Sequence, residues 1–259
     1  MDWRRTLAKQ LAHLRREGLQ QSGLAAELVP ADAEVAYQVA GMVEEELGWD
    51  VVGWKIAGTN AAMRDALRSD SPIYGRVYAP NISESPFQVP HSSLVNPIPE
   101  VEYQARLGAD LPHRTKPYVE AEVAEAVASL HPGIEVAECR FTHDQQFPPL
   151  PAILADGAGS GALIYGSAIA DWADCNIADQ EVTLYRDGEQ CRSGNAKVAI
   201  GHPISSLTWL ANELSRTGVG LRSGQLISTG TMTGMLRPKQ GQSFLADFGP
   251  FGEVAVKFE

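Results

Sequence analysis

The chain has 259 residues, 44% of them hydrophobic, and 21 Lys and Arg against 32 Asp and Glu give it a formal net charge of −11. This length and hydrophobic content are enough to bury a core, so the sequence is typical of a globular protein. The acidic balance, without a stripe of basic and aromatic residues, argues against nucleic acid and anionic membranes as partners.

The first seventy residues are predicted to be mainly helical. Apolar residues recur at helical spacing in two stretches, and Gly48 ends the second. These residues are Trp3, Leu7, Leu11 and Leu14 in the first stretch, and Val35, Val39, Val43 and Leu47 in the second. A buried strand is predicted over residues 50–56, and Thr59 or Asn60 is suited to cap a third helix.

From residue 71 onward the sequence predicts short strands separated by turns. The strand-like segments are residues 101–107, 133–141, 161–169, 181–191, 224–230 and 252–258. Two helices interrupt them, over residues 119–130 and 203–218, and Asp187-Gly188 is a strong hairpin signal. We therefore expect an α+β fold with one domain over residues 1–259, in which a helical portion (1–70) precedes a mainly β catalytic portion (71–259).

The N-terminal sequence and the cysteines both favour a cytoplasmic protein. Residues 1–18 are amphipathic and lack the apolar core of a signal peptide, and no apolar run approaches the length that spans a bilayer. Cys139, Cys175 and Cys191 are widely spaced and odd in number, which predicts reduced thiols instead of a disulfide framework.

Three glutamates are the main candidates for a functional site. Glu100 and Glu102 lie two apart in a predicted strand, so their side chains share a face. Taken alone, this spacing favours a solvated strand face over half of a metal site. Glu135 lies on a predicted apolar face with Cys139 and Phe141, where a carboxylate must be protonated, paired with a base or bound to a cation. Three such carboxylates would form an oxygen site suited to Mg²⁺ or Mn²⁺.

Seven segments occur in an order that resembles the fumarylacetoacetate hydrolase superfamily, and within it the 2-keto-4-pentenoate hydratases and 4-oxalocrotonate decarboxylases. They are GWKIAGTN, SPIYGRVY, PEVEYQARL, GIEVAECRF, LADGAGSG, IGHPISSLTWLANEL and GQLISTGTMTG. The resemblance implies a mixed β-roll with a helical N-terminal portion, a divalent metal and a short 2-oxo or 2-hydroxydienoic acid substrate. It also implies that Glu100, Glu102 and Glu135 are the metal ligands and that Lys55 is the active-site lysine.

Two departures from the family pattern concern the site. Where the family commonly has Asp-Asn-Ala-Ser, residues 156–159 are Asp-Gly-Ala-Gly, so Asp156 alone carries over as a catalytic candidate. Ile73 stands where hydratases tend to have an acidic residue, and this resembles the decarboxylases. Thr231, in the hydroxyl-rich segment 228–234, is the candidate to bind the substrate carboxylate.

The resulting expectation is a Mg²⁺-dependent hydratase that adds water to a 2-hydroxy-2,4-dienoate in the catabolism of aromatic or related compounds. The alternatives are a 4-oxalocrotonate-type decarboxylase, an acylpyruvase-type hydrolase of carbon–carbon bonds, and a metal-binding scaffold without activity. The sequence contains no His-x-x-Glu, which weakens the hydrolase alternative. Self-association into a homo-oligomer is expected from the resemblance and from the apolar faces of the N-terminal helices.

Overall fold

The computed structural model describes residues 2–259, apart from the side chain of Ala66, and over that range the chain forms seven α-helices and twelve strands. The helices are α1 (Trp3–Glu17), α2 (Ala33–Leu47), α3 (Ala61–Leu67), α4 (Glu120–Ala126), α5 (Leu150–Ala155), α6 (Ala196–Ala199) and α7 (Pro203–Arg216). The strands are β1 (Val51–Ala57), β2 (Ile73–Tyr78), β3 (Ile82–Glu84), β4 (Phe87–Val89), β5 (Ile98–Leu107), β6 (Val127–Ala137), β7 (Ala162–Tyr165), β8 (Val182–Arg186), β9 (Glu189–Gly194), β10 (Leu226–Ser228), β11 (Ser243–Asp247) and β12 (Glu253–Phe258).

The strands form two mixed sheets. One sheet has the order β2-β1-β10-β5-β6-β7-β3, and the other has the order β4-β12-β11-β8-β9. In the first sheet β1 runs parallel to β10, whereas β5 is antiparallel to both β10 and β6. This confirms the α+β prediction. It also places β1, β10, β5 and β6, which carry most of the predicted site residues, side by side.

The two N-terminal helices form where the apolar spacing predicted them. The side chains of Asp2 and Asp32 cap α1 and α2, and Gly18 and Gly48 follow them in the left-handed conformation that glycine adopts without strain. Their apolar faces are buried in the chain's own hydrophobic core. The expectation that these faces drive self-association therefore loses its support, since they have a partner within the chain.

Several predicted boundaries are wrong, among them the two at the ends of β6. The helix predicted over residues 119–130 ends at Ala126, because the following residues pair with β5 as the start of β6. The strand predicted over residues 133–141 ends at Ala137, because the next backbone N–H, that of Glu138, donates to the Gly159 carbonyl outside the ladder. Cys139 and Phe141 consequently do not share a strand face with Glu135.

The hairpin between β8 and β9 forms at its predicted turn residues. Asp187 and Gly188 both have positive φ and join β8 to β9, as predicted. Neither α5, where Pro149 and Pro151 obscure the helical pattern, nor the five-residue strand β11 was predicted from the sequence. The three cysteines are free thiols, as predicted. No helix within residues 2–259 is both long and apolar enough to cross a membrane.

Candidate active site

The pairing of β5 with β6 brings the three predicted glutamates together. Glu100 lies directly opposite Glu135, and Glu102 lies opposite Gly133 on the same face. The three residues each offer a carboxylate oxygen within 4.8 Å of the others, and all three are buried. Burial excludes the solvated-face interpretation of Glu100 and Glu102.

Glu102 is held by the strand on its other side. Its Oε2 accepts hydrogen bonds from Ser228 Oγ at 2.5 Å and from the Gly230 N–H at 2.7 Å. Gly230 has φ +110°, and a Cβ there would lie 2.7 Å from the Thr59 side chain, so this position requires glycine. Sequence reasoning singled out the hydroxyl-rich segment 228–234 but missed Ser228 and Gly230 as the groups that orient the carboxylate.

Lys55 lies on β1 in register with Ser228 and is 3% exposed. Its Nζ is 4.0 Å from Glu135 Oε1, a loose ion pair. Within residues 2–259 that Oε1 is buried and accepts no hydrogen bond. A buried carboxylate oxygen without a donor, beside two further carboxylates, fits a divalent cation with oxygen ligands. The donor set therefore supports the predicted ligands Glu100, Glu102 and Glu135.

The crowded carboxylates favour their protonated forms when no cation is present. Burial, and then the charge of Glu135, raise the pKa of Glu100 to about 8, while Lys55 opposes the shift. Burial raises the pKa of Glu135 to about 7, again against the effect of Lys55. Burial and the two neighbouring charges also raise the pKa of Glu102 well above its ordinary value, although its hydrogen bonds oppose them.

These shifts predict an unusual dependence of stability on pH. Since the folded-state pKa values lie above the ordinary 4.5, the carboxyls stabilise the metal-free fold at low pH, and this is lost as pH rises through about 7 to 8. Mn²⁺, which needs ionised ligands, should therefore raise the unfolding temperature more at pH 8 than at pH 6. Thermal scans of the parent and of a Glu100→Gln/Glu135→Gln variant test this. An equal Mn²⁺ effect at both pH values in the parent would contradict it.

Asp156, the second catalytic candidate, lies outside the residues that line the cavity described below. Its carboxylate accepts from Arg140 Nε at 2.9 and 3.0 Å and from the Arg140 backbone N–H at 3.0 Å. Arg15 of α1 donates to the carbonyls of Asp156 and Ser160, and Arg140 donates to the same two carbonyls. Asp156 thus belongs to a buried cluster that fixes the segment 156–160.

That segment connects the cluster to the site. Ala158 and Gly159 line the cavity, and a Cβ on Gly159 would lie 3.8 Å from Lys55 Nζ. Both residues have positive φ, as does Gly157. The chain therefore passes Lys55 as a tight backbone turn without polar side chains at 157–159. This is the segment that departs from the family pattern that the sequence otherwise resembles.

Lys55, Glu100, Glu102 and Thr231 line a cavity of about 690 Å³. The Thr231 hydroxyl also contacts the Gly234 backbone, accepting from its N–H at 3.2 Å. Ile73, on the neighbouring strand β2, forms part of the wall. Most of the remaining lining comes from two segments, α3 with its flanks and residues 147–153. The sequence predicted α3 as a helix but not as part of the site, and it did not single out residues 147–153.

Curated relatives carry names from the same two groups of enzymes. The chain is 30% identical over 213 residues to a 2-keto-4-pentenoate hydratase of Paraburkholderia xenovorans LB400, covering 82% of this chain and 78% of that protein. It is 26% identical over 236 residues to a 4-oxalocrotonate decarboxylase of Pseudomonas putida, covering 90% of this chain and 86% of that protein.

The fold is shared with a solved structure over nearly the whole chain. The 4-oxalocrotonate decarboxylase from Pseudomonas putida G7, complexed with magnesium and adipate, superimposes with a TM-score of 0.90 at 23% identity, covering 99% of this chain and 97% of that one. The family model described as fumarylacetoacetate (FAA) hydrolase C-terminal matches residues 55–257, which include the six predicted site residues. The chain therefore belongs to the fumarylacetoacetate hydrolase family.

Proposed function

We propose that the protein is a Mg²⁺- or Mn²⁺-dependent hydratase that adds water to a 2-hydroxy-2,4-dienoate. The observation that carries this proposal is the set of three buried glutamates beside the buried Lys55. Of these four residues, Glu100, Glu102 and Lys55 line a cavity that can hold a small acid. The name of the hydratase relative from Paraburkholderia xenovorans supports the reaction class. The names of the hydratase and decarboxylase relatives support a small organic acid as the partner and a lyase reaction.

The groups at the site have separate roles in the proposed reaction. When bound by Glu100, Glu102 and Glu135, a divalent cation supplies Lewis-acid stabilisation of the negative charge that develops on the C2 oxygen. Ser228 and Gly230 fix the Glu102 carboxylate and so preorganise the ligand set. Thr231 offers a hydroxyl to the substrate carboxylate from the cavity wall.

Lys55 is the group that holds or moves a proton. In the hydration reaction a proton reaches the terminal carbon of the dienol as C2 becomes a ketone, and water then adds to the conjugated double bond. A buried ammonium group near the carboxylates is positioned for the proton transfer. Asp156 does not line the cavity, so we assign it a positioning role, through Arg140 and the turn at 157–159, in place of a catalytic one.

A decarboxylase is the second candidate, and Ile73 is the observation that favours it. Its side chain is 3% exposed and contributes an apolar wall, where an acidic residue would be suited to guide water. Loss of CO₂ from a vinylogous 2-oxo diacid needs the same electron sink at C2 and no water. An apolar wall near a departing carboxylate also disfavours its charged form.

Two substrates distinguish these candidates. With Mg²⁺, the protein should consume 2-hydroxypenta-2,4-dienoate, seen as loss of dienol absorbance without CO₂. Incubation with 2-oxo-3-hexenedioate should release no CO₂ if the protein is a hydratase, and CO₂ release from this diacid would reverse the assignment. If neither compound reacts while Mn²⁺ binds, the hydratase and decarboxylase proposals both fail, which leaves a carbon–carbon hydrolase or a non-catalytic scaffold.

The metal site can be tested without a substrate. Glu102→Gln and Glu135→Gln should each weaken Mn²⁺ binding at least about tenfold, because each replaces a charged ligand with a neutral amide. Calorimetric titration measures the affinity. Glu189→Gln, at an exposed position on β9, is the matched control and should bind as the parent does. Unchanged affinity in both buried variants would show that the ligands lie elsewhere.

We also infer that the protein forms a homo-oligomer, and this inference is based on the family resemblance alone. Light scattering at micromolar concentration tests it, and a particle of 27.9 kDa would show a monomer.

A further inference from the structure

The cavity is much larger than the substrate in the proposed function requires. Its volume of about 690 Å³ equals that of roughly twenty water molecules at about 30 Å³ each. A five-carbon 2-hydroxydienoate has only eight non-hydrogen atoms, and it must lie against the carboxylates and Lys55. A substrate that fills this cavity therefore extends well beyond carbon 5.

The exposure of the lining residues shows which way such an extension would run. Lys55 and Glu102 are almost completely buried and define the inner end. Phe147 and Met235 also line the cavity, but they are 37% and 52% exposed and define the outer end. Between them the wall is mainly apolar. It includes Met63 and Leu67 of α3, and Leu150 and Ile153 of α5.

The exposed apolar residues at the outer end are unusual in this chain. Over residues 2–259, five large hydrophobic side chains are exposed, and two of them, Phe147 and Met235, line this one cavity. Single exposed hydrophobic residues need no explanation, but two at the mouth of an apolar cavity form a surface that a ligand would cover.

Two basic residues at the mouth raise the alternative of a second carboxylate. His143 stacks on Phe147 with ring centroids 4.3 Å apart, and burial, then Arg237, lower its pKa below 6.5, so it is mainly neutral at pH 7. Arg68 ends α3 with an exposed side chain. An ion pair at such an exposed position contributes little, whereas apolar contact along the wall accumulates with each carbon.

We propose that the outer half of the cavity binds an apolar chain or ring, so that the preferred substrate is a 2-hydroxydienoate with an alkyl or aryl substituent at carbon 5, and that Phe147 and Met235 determine this preference. This inference rests on the proposed function for the reaction at the inner end. The apolar wall of the outer half disfavours a diacid substrate, because its terminal carboxylate would lie against apolar side chains.

Turnover of two dienoates tests the preference. With Mg²⁺, kcat/KM should be at least tenfold higher for 2-hydroxynona-2,4-dienoate than for 2-hydroxypenta-2,4-dienoate, since each buried methylene contributes about fourfold. Phe147→Ala and Met235→Ala should each reduce that ratio several-fold. Val198→Ala removes an exposed hydrophobic side chain that does not line the cavity and should leave the ratio unchanged. A parental ratio near one, or a ratio unaffected by the two cavity variants, would overturn the proposal.

A binding measurement separates this proposal from the proposed function. In calorimetry with Mn²⁺ and no turnover, 2-oxononanoate should bind at least tenfold more tightly than 2-oxopentanoate. If no dienoate reacts but this difference is present, the hydratase assignment fails and the apolar subsite stands. If 2-oxononanedioate binds more tightly than 2-oxononanoate and Arg68→Gln abolishes that advantage, the outer end is a carboxylate site and the proposal is wrong.

Discussion

Replacing Lys55 with methionine is expected to lower turnover of the dienoate by about 100-fold or more, because general acid–base groups typically contribute about 10²–10⁴ to a rate. Methionine keeps much of the apolar length of the side chain and removes only the group that carries the proton. Lys55 is buried at the inner end of the cavity, and its Nζ is 4.0 Å from Glu135 Oε1.

Three measurements make the Lys55 result interpretable. Turnover should fall, whereas the affinity for Mn²⁺ should be unchanged or increased, since a cation near Glu135 has been removed. Thermal unfolding should confirm that the variant is folded. Lys257→Met, on the exposed part of β12, is the matched control and should retain parental turnover. Turnover close to the parent in Lys55→Met would assign the proton transfer to another residue.

Replacing Arg140 with methionine is expected to destabilise the protein by about 3–5 kcal/mol, the usual cost of breaking a buried ion pair from one side. The Arg140 and Asp156 side chains are 2% and 1% exposed. Water therefore could not solvate the Asp156 carboxylate that the change leaves unpaired. The same change removes one of the two guanidinium groups that donate to the Ser160 carbonyl.

The neutral double variant separates charge from packing. Arg140→Met/Asp156→Asn should recover a large part of the lost free energy of unfolding, because it also removes the Asp156 charge that the single change leaves unpaired. Urea denaturation measures both variants, and Arg192→Met at an exposed position is the control. If Arg140→Met unfolds at the parental urea concentration, the pair contributes nothing to stability and its proposed positioning role loses its basis.

The local signals in the sequence predicted the two N-terminal helices well. Their apolar spacing and the stop at Gly48 depend only on neighbouring residues, and the caps at Asp2, Asp32 and Gly18 act over the same short range. Glu100 and Glu102 share a face through strand alternation alone.

The placement of Glu135 opposite Glu100 depends instead on the register of two strands far apart in sequence. Its apolar surroundings signalled a site, although the neighbours expected on its own strand were wrong. The assignment of Glu135 as the third ligand came from the family resemblance, because the residue pattern alone left its role open.

Other parts of the site could not be predicted because they depend on tertiary contacts. The change from α4 to β6 at Val127 is decided by pairing with β5, which overrides a helical pattern that continues to Leu130. Phe147 and Met235 meet at one cavity mouth although 88 residues separate them, and neither lies in a regular element. Asp156 was predicted as catalytic from its position in a motif, whereas its contacts with Arg140 and its place outside the cavity lining indicate a different role.

Arg15 connects the N-terminal helix α1 to the region that matches the family model. The matched region starts at residue 55, whereas Arg15 lies in α1, outside it, and donates to two carbonyls of the turn that passes Lys55. A chimera that joined residues 55–257 to another N-terminal portion would carry all three carboxylates and Lys55, yet it would keep these two hydrogen bonds only if that portion supplied an equivalent donor. In this chain, α1 and the segment 156–160 therefore form one structural unit, although the matched region contains only the second of them.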